Sequence, residues 1–208
     1  MFCIAQDDNP VIERKLKLSP LSIRADFSVP NPTNKAWKKC MVGVFEGNVS
    51  LNYKIPKSQF FLGVGYKGNL FYTPPKFFIF DLKTKMQMHA AYLKLGYDIN
   101  KDNGFFITPS LNTGWSYTSY TGVICETKKL DYTPAYDAWF IEPGIHLNFL
   151  PESNFGISCS FTYVLVDQIW NPDYICMNDH INLGDTKKNA LTGYYNLGLG
   201  IYWGIGKR

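Results

Sequence analysis

The sequence predicts an all-β fold, an eight-stranded antiparallel up-and-down barrel, and three observations lead to it. Almost everything after residue 20 alternates apolar and polar side chains with period two, the pattern of a strand whose two faces meet different surroundings. The alternating segments run to about 14 residues, where strands of soluble sheets average about 5–6. The links between them are short and long in strict turn, as in a barrel with tight turns at one end and loops at the other.

Each strand is legible in order. Leu21–Val29 sets Arg24 and Asp26 between apolar neighbours, Val42–Ile55 does so with Glu46, and Phe60–Thr73 with Lys67. Lys85–Asn100 carries Lys94 in the same way and His89 among alanines. Phe105–Tyr120 is the clearest, with Phe105, Ile107, Leu111, Trp115 and Tyr117 on one face and Thr108, Ser110, Asn112, Ser116 and Thr118 on the other. Tyr136–Phe149 places Glu142 and His146 on its polar face. Phe155–Gln168 opposes Ile157, Cys159, Phe161 and Tyr163 to Ser158, Ser160 and Thr162. Leu191–Ile205 opposes Leu197, Leu199, Ile201 and Trp203 to Thr192, Tyr194, Asn196 and two glycines. Pro56–Gln59, Lys101–Gly104 and Pro151–Asn154 are tight turns of Pro, Asn, Asp and Gly, and no stretch longer than a turn shows a helical period.

The kind of polar residue decides what lies outside. A water-facing sheet carries Lys, Glu, Asp and Arg, whereas here the second face is mostly Ser, Thr, Asn and Gly. Charged residues are only 18% of the chain, against about 25% in an ordinary soluble domain. The strand charges Arg24, Asp26, Glu46, Lys67, Lys94, Glu142 and His146 share the parity of the small polar set. Facing lipid, each would cost roughly 2–4 kcal/mol, while mixed signs in a lumen neutralise one another. The expected fold is therefore a transmembrane barrel with short periplasmic turns, longer extracellular loops and both chain ends periplasmic. The alternative is a soluble lipocalin-like carrier of a small apolar ligand, with the faces exchanged. A membrane helix is excluded, because no apolar run approaches about 18 residues. Phe60, Phe61, Phe71, Tyr72, Phe105, Phe106, Trp139, Phe140, Phe149, Trp170, Tyr202 and Trp203 lie near strand ends and fit interfacial aromatic girdles.

Four strand signatures carry a resemblance: Phe61-Leu-Gly-Val-Gly-Tyr66, Lys94-Leu-Gly-Tyr97, Phe106-Ile-Thr-Pro-Ser-Leu111 and Tyr195-Asn-Leu-Gly-Leu-Gly-Ile-Tyr202. Over residues 20–206 the chain resembles the small outer-membrane β-barrel domain proteins of Gram-negative bacteria, the variety common in Bacteroidota above all. The resemblance implies an eight-stranded barrel placed in the outer membrane by its assembly machinery. The chain departs from that group after Trp203, where Gly-Ile-Gly-Lys-Arg follows instead of a terminal aromatic. Residues 1–5 look like the end of a secretory signal, with Ala5 before the cut.

Chemical motifs are sparse. Gly63, Gly65 and Gly68 spell a dinucleotide fingerprint, but inside a strand, where no helix N-terminus could meet a phosphate. The cysteines Cys3, Cys40, Cys125, Cys159 and Cys176 have no metal-ligand spacing, so neither metal nor cofactor is expected. Some outer-membrane barrels modify lipid with a His, a Ser and a carboxylate. Here Asp179–His180 is the one adjacent acid–imidazole pair, and no G-x-S-x-G elbow is present. The scattered lysines and net charge of +4 do not form a nucleic-acid stripe.

The chain therefore reads as a non-enzymatic outer-membrane barrel with a structural, interaction or accessory role in an export or uptake complex. A lipid-modifying enzyme is the remoter alternative. Expected partners are outer-membrane lipid, lipopolysaccharide and a protein of an outer-membrane complex. The lysines of the long links, Lys38, Lys39, Lys83, Lys85, Lys128, Lys129, Lys187 and Lys188, suit lipopolysaccharide phosphates. Cys125 and Cys176 fall in two long links on the oxidising side and form a candidate disulfide, with Cys40 a competing partner and two loop thiols the alternative.

Overall fold

The computed structural model describes residues 19–74, 84–100, 104–123, 134–150, 154–176 and 191–206. The long strands are β1 (Leu21–Pro32), β2 (Val42–Lys54), β3 (Phe60–Tyr72), β4 (Lys85–Tyr97), β6 (Phe105–Thr121), β7 (Ala135–Phe149), β8 (Phe155–Ile169) and β9 (Leu191–Ile205). A two-residue strand, β5 (Ile99–Asn100), continues β4 past a break at Asp98. All neighbours are antiparallel. β9 returns to β1 from Leu21↔Ile205 to Pro32↔Tyr194, and β4 pairs with β6 from Lys85↔Thr121 to Gly96↔Ser110. The sheet thus closes into a barrel of eight long strands with no free edge. Thirteen residues at about 3.4 Å each, tilted by about 45°, rise about 30 Å, enough to cross an apolar band of about 25 Å.

Local chemistry shapes the end that carries the long links. Pro30 has no N–H to donate, and the β1–β2 ladder stops at Ser28↔Glu46 while β1–β9 runs on to Pro32. Opposite it, β2 bulges between Gly43 and Phe45, which turns both Val44 and Phe45 outward. Only glycine fits at position 43, because a Cβ there would run into the Pro30 carbonyl oxygen. At the other end Gly104, with φ +81°, leads into β6, and its carbonyl accepts the Leu150 N–H at 2.8 Å.

The first long link contains a helix that sequence periodicity does not predict, α1 (Lys35–Cys40). Its six residues are too few to display a 3.6 period; the legible signal is the cap. The Asn34 side chain accepts the N–H groups of Ala36 at 2.8 Å and Trp37 at 3.4 Å. Ala36, Trp37 and Cys40 are buried, while Lys38 and Lys39 stay exposed in the last turn, where they complement the helix dipole. The twelve expected girdle aromatics also divide. Phe60, Tyr72, Trp139, Phe149 and Trp203 are exposed on the wall, but Phe61, Phe71, Phe106, Phe140, Trp170 and Tyr202 are buried and Phe105 is half-buried. Adjacent aromatics on one strand must face opposite ways, so one of each doublet enters the lumen.

Candidate functional site: a sealed lumen and an apolar wall

The polarity of the barrel is inverted. Outward positions are aliphatic or aromatic and open, with Leu199 68%, Leu93 64% and Phe27 59% exposed. The inside holds Arg24, Asp26, Glu46, Lys67, Lys94, Glu142 and His146, none more than 6% exposed. Three layers fill the lumen.

Beneath the long links lies an aromatic cap. Trp37 of α1 packs on Phe71 at 5.0 Å, edge-on to Tyr194 at 6.0 Å, and alongside Trp170 at 6.5 Å between ring centroids. Met86, Met88, Tyr120 and Phe140 complete the same cluster.

The middle layer is charged. Lys67 Nζ donates to Glu142 Oε2 at 3.0 Å and stands 4.5 Å from the centre of the Phe140 ring. Glu142 also accepts from Asn112 at 2.8 Å and from Thr162 at 2.8 Å. Glu46 accepts from Asn69, Tyr194 and Asn196 at 3.0–3.1 Å. Tyr92 donates to Asn48 Oδ1, and its ring occupies the space that a side chain at Gly65 would need. This crowding explains the glycine fingerprint: Gly65 makes room for a ring, not for a phosphate.

Towards the short turns Arg24 Nη2 meets Asp98 Oδ1 at 3.1 Å, and Thr108 donates to the same oxygen at 2.7 Å. The guanidinium lies 4.7 Å from the centre of the Phe61 ring and 5.2 Å from that of Tyr202. His146 Nδ1 is 3.9 Å from Asp26 Oδ1. Lys94 Nζ has no hydrogen-bond partner among the described residues, and Asp26, Glu142 and Asp98 supply its balancing charge. Asp98 is the participant that sequence reasoning missed. It shares the parity of Lys94 and Gly96, and that signal could have found it. Three cations, Arg24, Lys67 and Lys94, are set against four carboxylates, Asp26, Glu46, Asp98 and Glu142, a near balance that makes burial of charge tolerable.

The structure does not gather the lysines of the long links into one site. Lys38 and Lys39 project from α1 and Lys85 is half-buried at the start of β4, while Lys83, Lys128, Lys129, Lys187 and Lys188 lie outside the described residues. Cys176 is disulfide-bonded; Cys125 lies outside the described residues, as do Asp179, His180 and residues 1–5. His89 faces outward, bonded to Tyr66 at 2.6 Å between Nδ1 and the hydroxyl. Among the described residues no group of three His, Cys, Asp or Glu side chains is placed to hold a metal ion.

No protein-family model matches the chain, and no curated protein sequence does. Solved structures do. Neisserial surface protein A is 13% identical, with 91% of this chain and 99% of that one covered at a TM-score of 0.53. A major outer membrane protein from Thermus thermophilus is 10% identical over 88% and 97% of the two chains, at 0.56. The attachment invasion locus protein of Yersinia pestis is 11% identical over 90% and 100%, at 0.50. At such identities the likeness is one of fold, and the fold is the closed, eight-stranded antiparallel β-barrel of outer-membrane proteins.

Proposed function

We propose that this chain is a non-enzymatic outer-membrane protein, of the variety common in Bacteroidota on its strand signatures. Its barrel anchors a structural, interaction or accessory role in an export or uptake complex. The short turns, with Leu21 and Ile205, face the periplasm, and the long links face outward. The observation that carries this reading is the inverted polarity: an apolar wall around a lumen of paired charges, capped by Trp37 and its neighbours. That lumen supports neither a general pore nor the carrier alternative, since an apolar ligand would have to displace ion pairs at Lys67 and Arg24. Lys38 and Lys39, exposed in the last turn of α1, would on this reading meet lipopolysaccharide phosphates. Carbonate extraction and heat-modifiable gel migration test the membrane reading: the chain stays in the pellet and migrates faster unboiled. Release by carbonate, with one mobility, contradicts it. Cross-linking in native membranes from exposed Lys38 and Lys39 then tests the partner role by recovering one stoichiometric protein, and recovery of lipid alone contradicts that role.

A further inference from the structure

The ladder between β7 and β8 is an interrupted seam of the barrel. Pairing runs from Phe149↔Ile157 to Gly144↔Thr162, lapses at Glu142 and Pro143, resumes at Ile141↔Leu165, and ends at Phe140↔Val166. Both strands continue beyond that point, to Ala135 and Ile169. The β8–β9 ladder also shifts register between Val166 and Ile169, so Asp167 and Gln168 are paired in neither ladder. Pro143 has no N–H to offer, a direct reason for the lapse.

On the outer wall this seam opens a groove of about 250 Å³, with Thr113, Trp139, Ile141, Leu165, Asp167 and Leu191 among its lining residues. The volume is below the roughly 300–1,000 Å³ of small-molecule pockets, and it suits a stretch of hydrocarbon chain. The rim towards the long links is different in kind. Asp167 lines it, and Asp137, two residues from Trp139 on the same exposed face, accepts the Trp115 indole N–H at 3.3 Å. Trp115 and Trp139 stand perpendicular, 5.4 Å between centroids. Two carboxylates beside two tryptophans at right angles are the chemistry that recognises an ammonium group.

The height agrees. Fifteen residues tilted by about 45° rise about 36 Å, so roughly two residues at each strand end leave an apolar band of about 25 Å. Asp137 is third in β7 and Asp167 third from the end of β8, which puts both carboxylates at the edge of that band, within reach of head groups, and the groove below them in hydrocarbon. A second wall groove, at the β2 bulge, is lined by Phe27, Val29, Val44, Phe45 and Leu197 among others, with no charged residue. It could take a tail but could not select a head.

We infer that the β7–β8 groove is a binding site for one aminophospholipid, its acyl chain between Ile141 and Leu165 and its ammonium among Asp137, Asp167 and the Trp115–Trp139 pair. The carboxylates repel anionic head groups and so select this lipid from an anionic surrounding. The inference rests on the membrane reading above, and the two can be tested separately.

The full chain is refolded into bilayers of equimolar phosphatidylethanolamine and phosphatidylglycerol, its insertion is read by heat-modifiable migration, and the retained lipid is then identified by native mass spectrometry. Phosphatidylethanolamine should be retained at least about fivefold over phosphatidylglycerol, about 1 kcal/mol at 1.4 kcal/mol per decade. D137N/D167N should bring the ratio to that of the bilayer, and Leu165→Trp should abolish retention at this site. Val29→Trp, in the uncharged groove, should leave the preference intact. Inserted protein that retains both lipids in bilayer proportion, or a preference that survives D137N/D167N, overturns the site. Failure of the unsubstituted chain to insert overturns the membrane reading and this inference with it.

Discussion

Replacing Glu142 by leucine tests whether the lumen is held by its charges. Glu142 is 1% exposed and accepts three hydrogen bonds, from Lys67, Asn112 and Thr162. Leucine removes the carboxylate that Lys67 bonds and leaves its ammonium buried beside the faces of Phe140 and Tyr194, at 4.5 and 5.7 Å, with Glu46 its remaining carboxylate neighbour. Breaking a buried pair from one side costs about 3–5 kcal/mol, and attraction to the nearby Glu46 carboxylate offsets roughly 1–2 kcal/mol of that. The unmatched donors of Asn112 and Thr162 add about 1–3 kcal/mol, so the net loss should be about 3–5 kcal/mol. Lys67→Met together with Glu142→Leu removes both charges and should lose only about 1–3 kcal/mol, for the two stranded donors. The assay is reversible urea unfolding of the barrel in lipid vesicles, arranged as a double-mutant cycle in which the double loss falls short of the summed single losses by at least about 2 kcal/mol. A Glu142→Leu loss below about 1 kcal/mol, or single losses that simply add, would refute the argument that these charges form one buried, mutually dependent network.

Planar-bilayer recordings should show no nanosiemens-scale channel, and Trp37→Ala should not create one, because the charged layer still fills the lumen below the cap; a stable large conductance in either protein contradicts the layered filling. Gly43→Ala should destabilise by about 1–3 kcal/mol through contact with the Pro30 backbone, while Gly68→Ala, whose Cβ would meet His89 at an ordinary 3.5 Å, should stay within about 0.5 kcal/mol. Equal effects at the two positions in the same unfolding assay contradict this reading of the bulge. Non-reducing peptide mapping should join Cys176 to Cys125; a bond to another cysteine, or an unlinked Cys125, eliminates that pair.

What could be read from sequence, and what could not, follows from the geometry of a strand. Period two fixes the face of each side chain, so Lys67, Glu142 and Asn196 could be assigned to one side of the sheet from sequence alone. Period two says nothing about height or about the neighbour across the lumen. Those depend on the shear of the closed barrel, which joins Arg24 to Asp98, 74 residues away. The helix α1 was hidden because its evidence was one capping asparagine and a tryptophan, too short for any period. The bulge at Gly43–Phe45 and the open seam beyond Phe140 were hidden for a related reason: each is a fault in the pairing of two strands, which the pattern of neither strand alone displays. The candidate lipid site sits at one such fault. Asp137, Asp167 and Trp139 are isolated letters in three-residue neighbourhoods until β7 and β8 are laid side by side.

The five native tryptophans test the central claim, an apolar wall in lipid around a sealed polar lumen, most directly. Trp115, Trp139 and Trp203 are 46%, 57% and 55% exposed on the wall, whereas Trp37 and Trp170 are at most 1% exposed inside. Single-tryptophan variants, with phenylalanine at the other four positions, are inserted into bilayers containing brominated phospholipid, and emission is measured with and without bromine. The account predicts strong quenching of Trp115, Trp139 and Trp203 by bromolipid, little quenching of them by aqueous acrylamide, and protection of Trp37 and Trp170 from both. Acrylamide reaching the three wall tryptophans while bromolipid does not would put water where the account puts lipid.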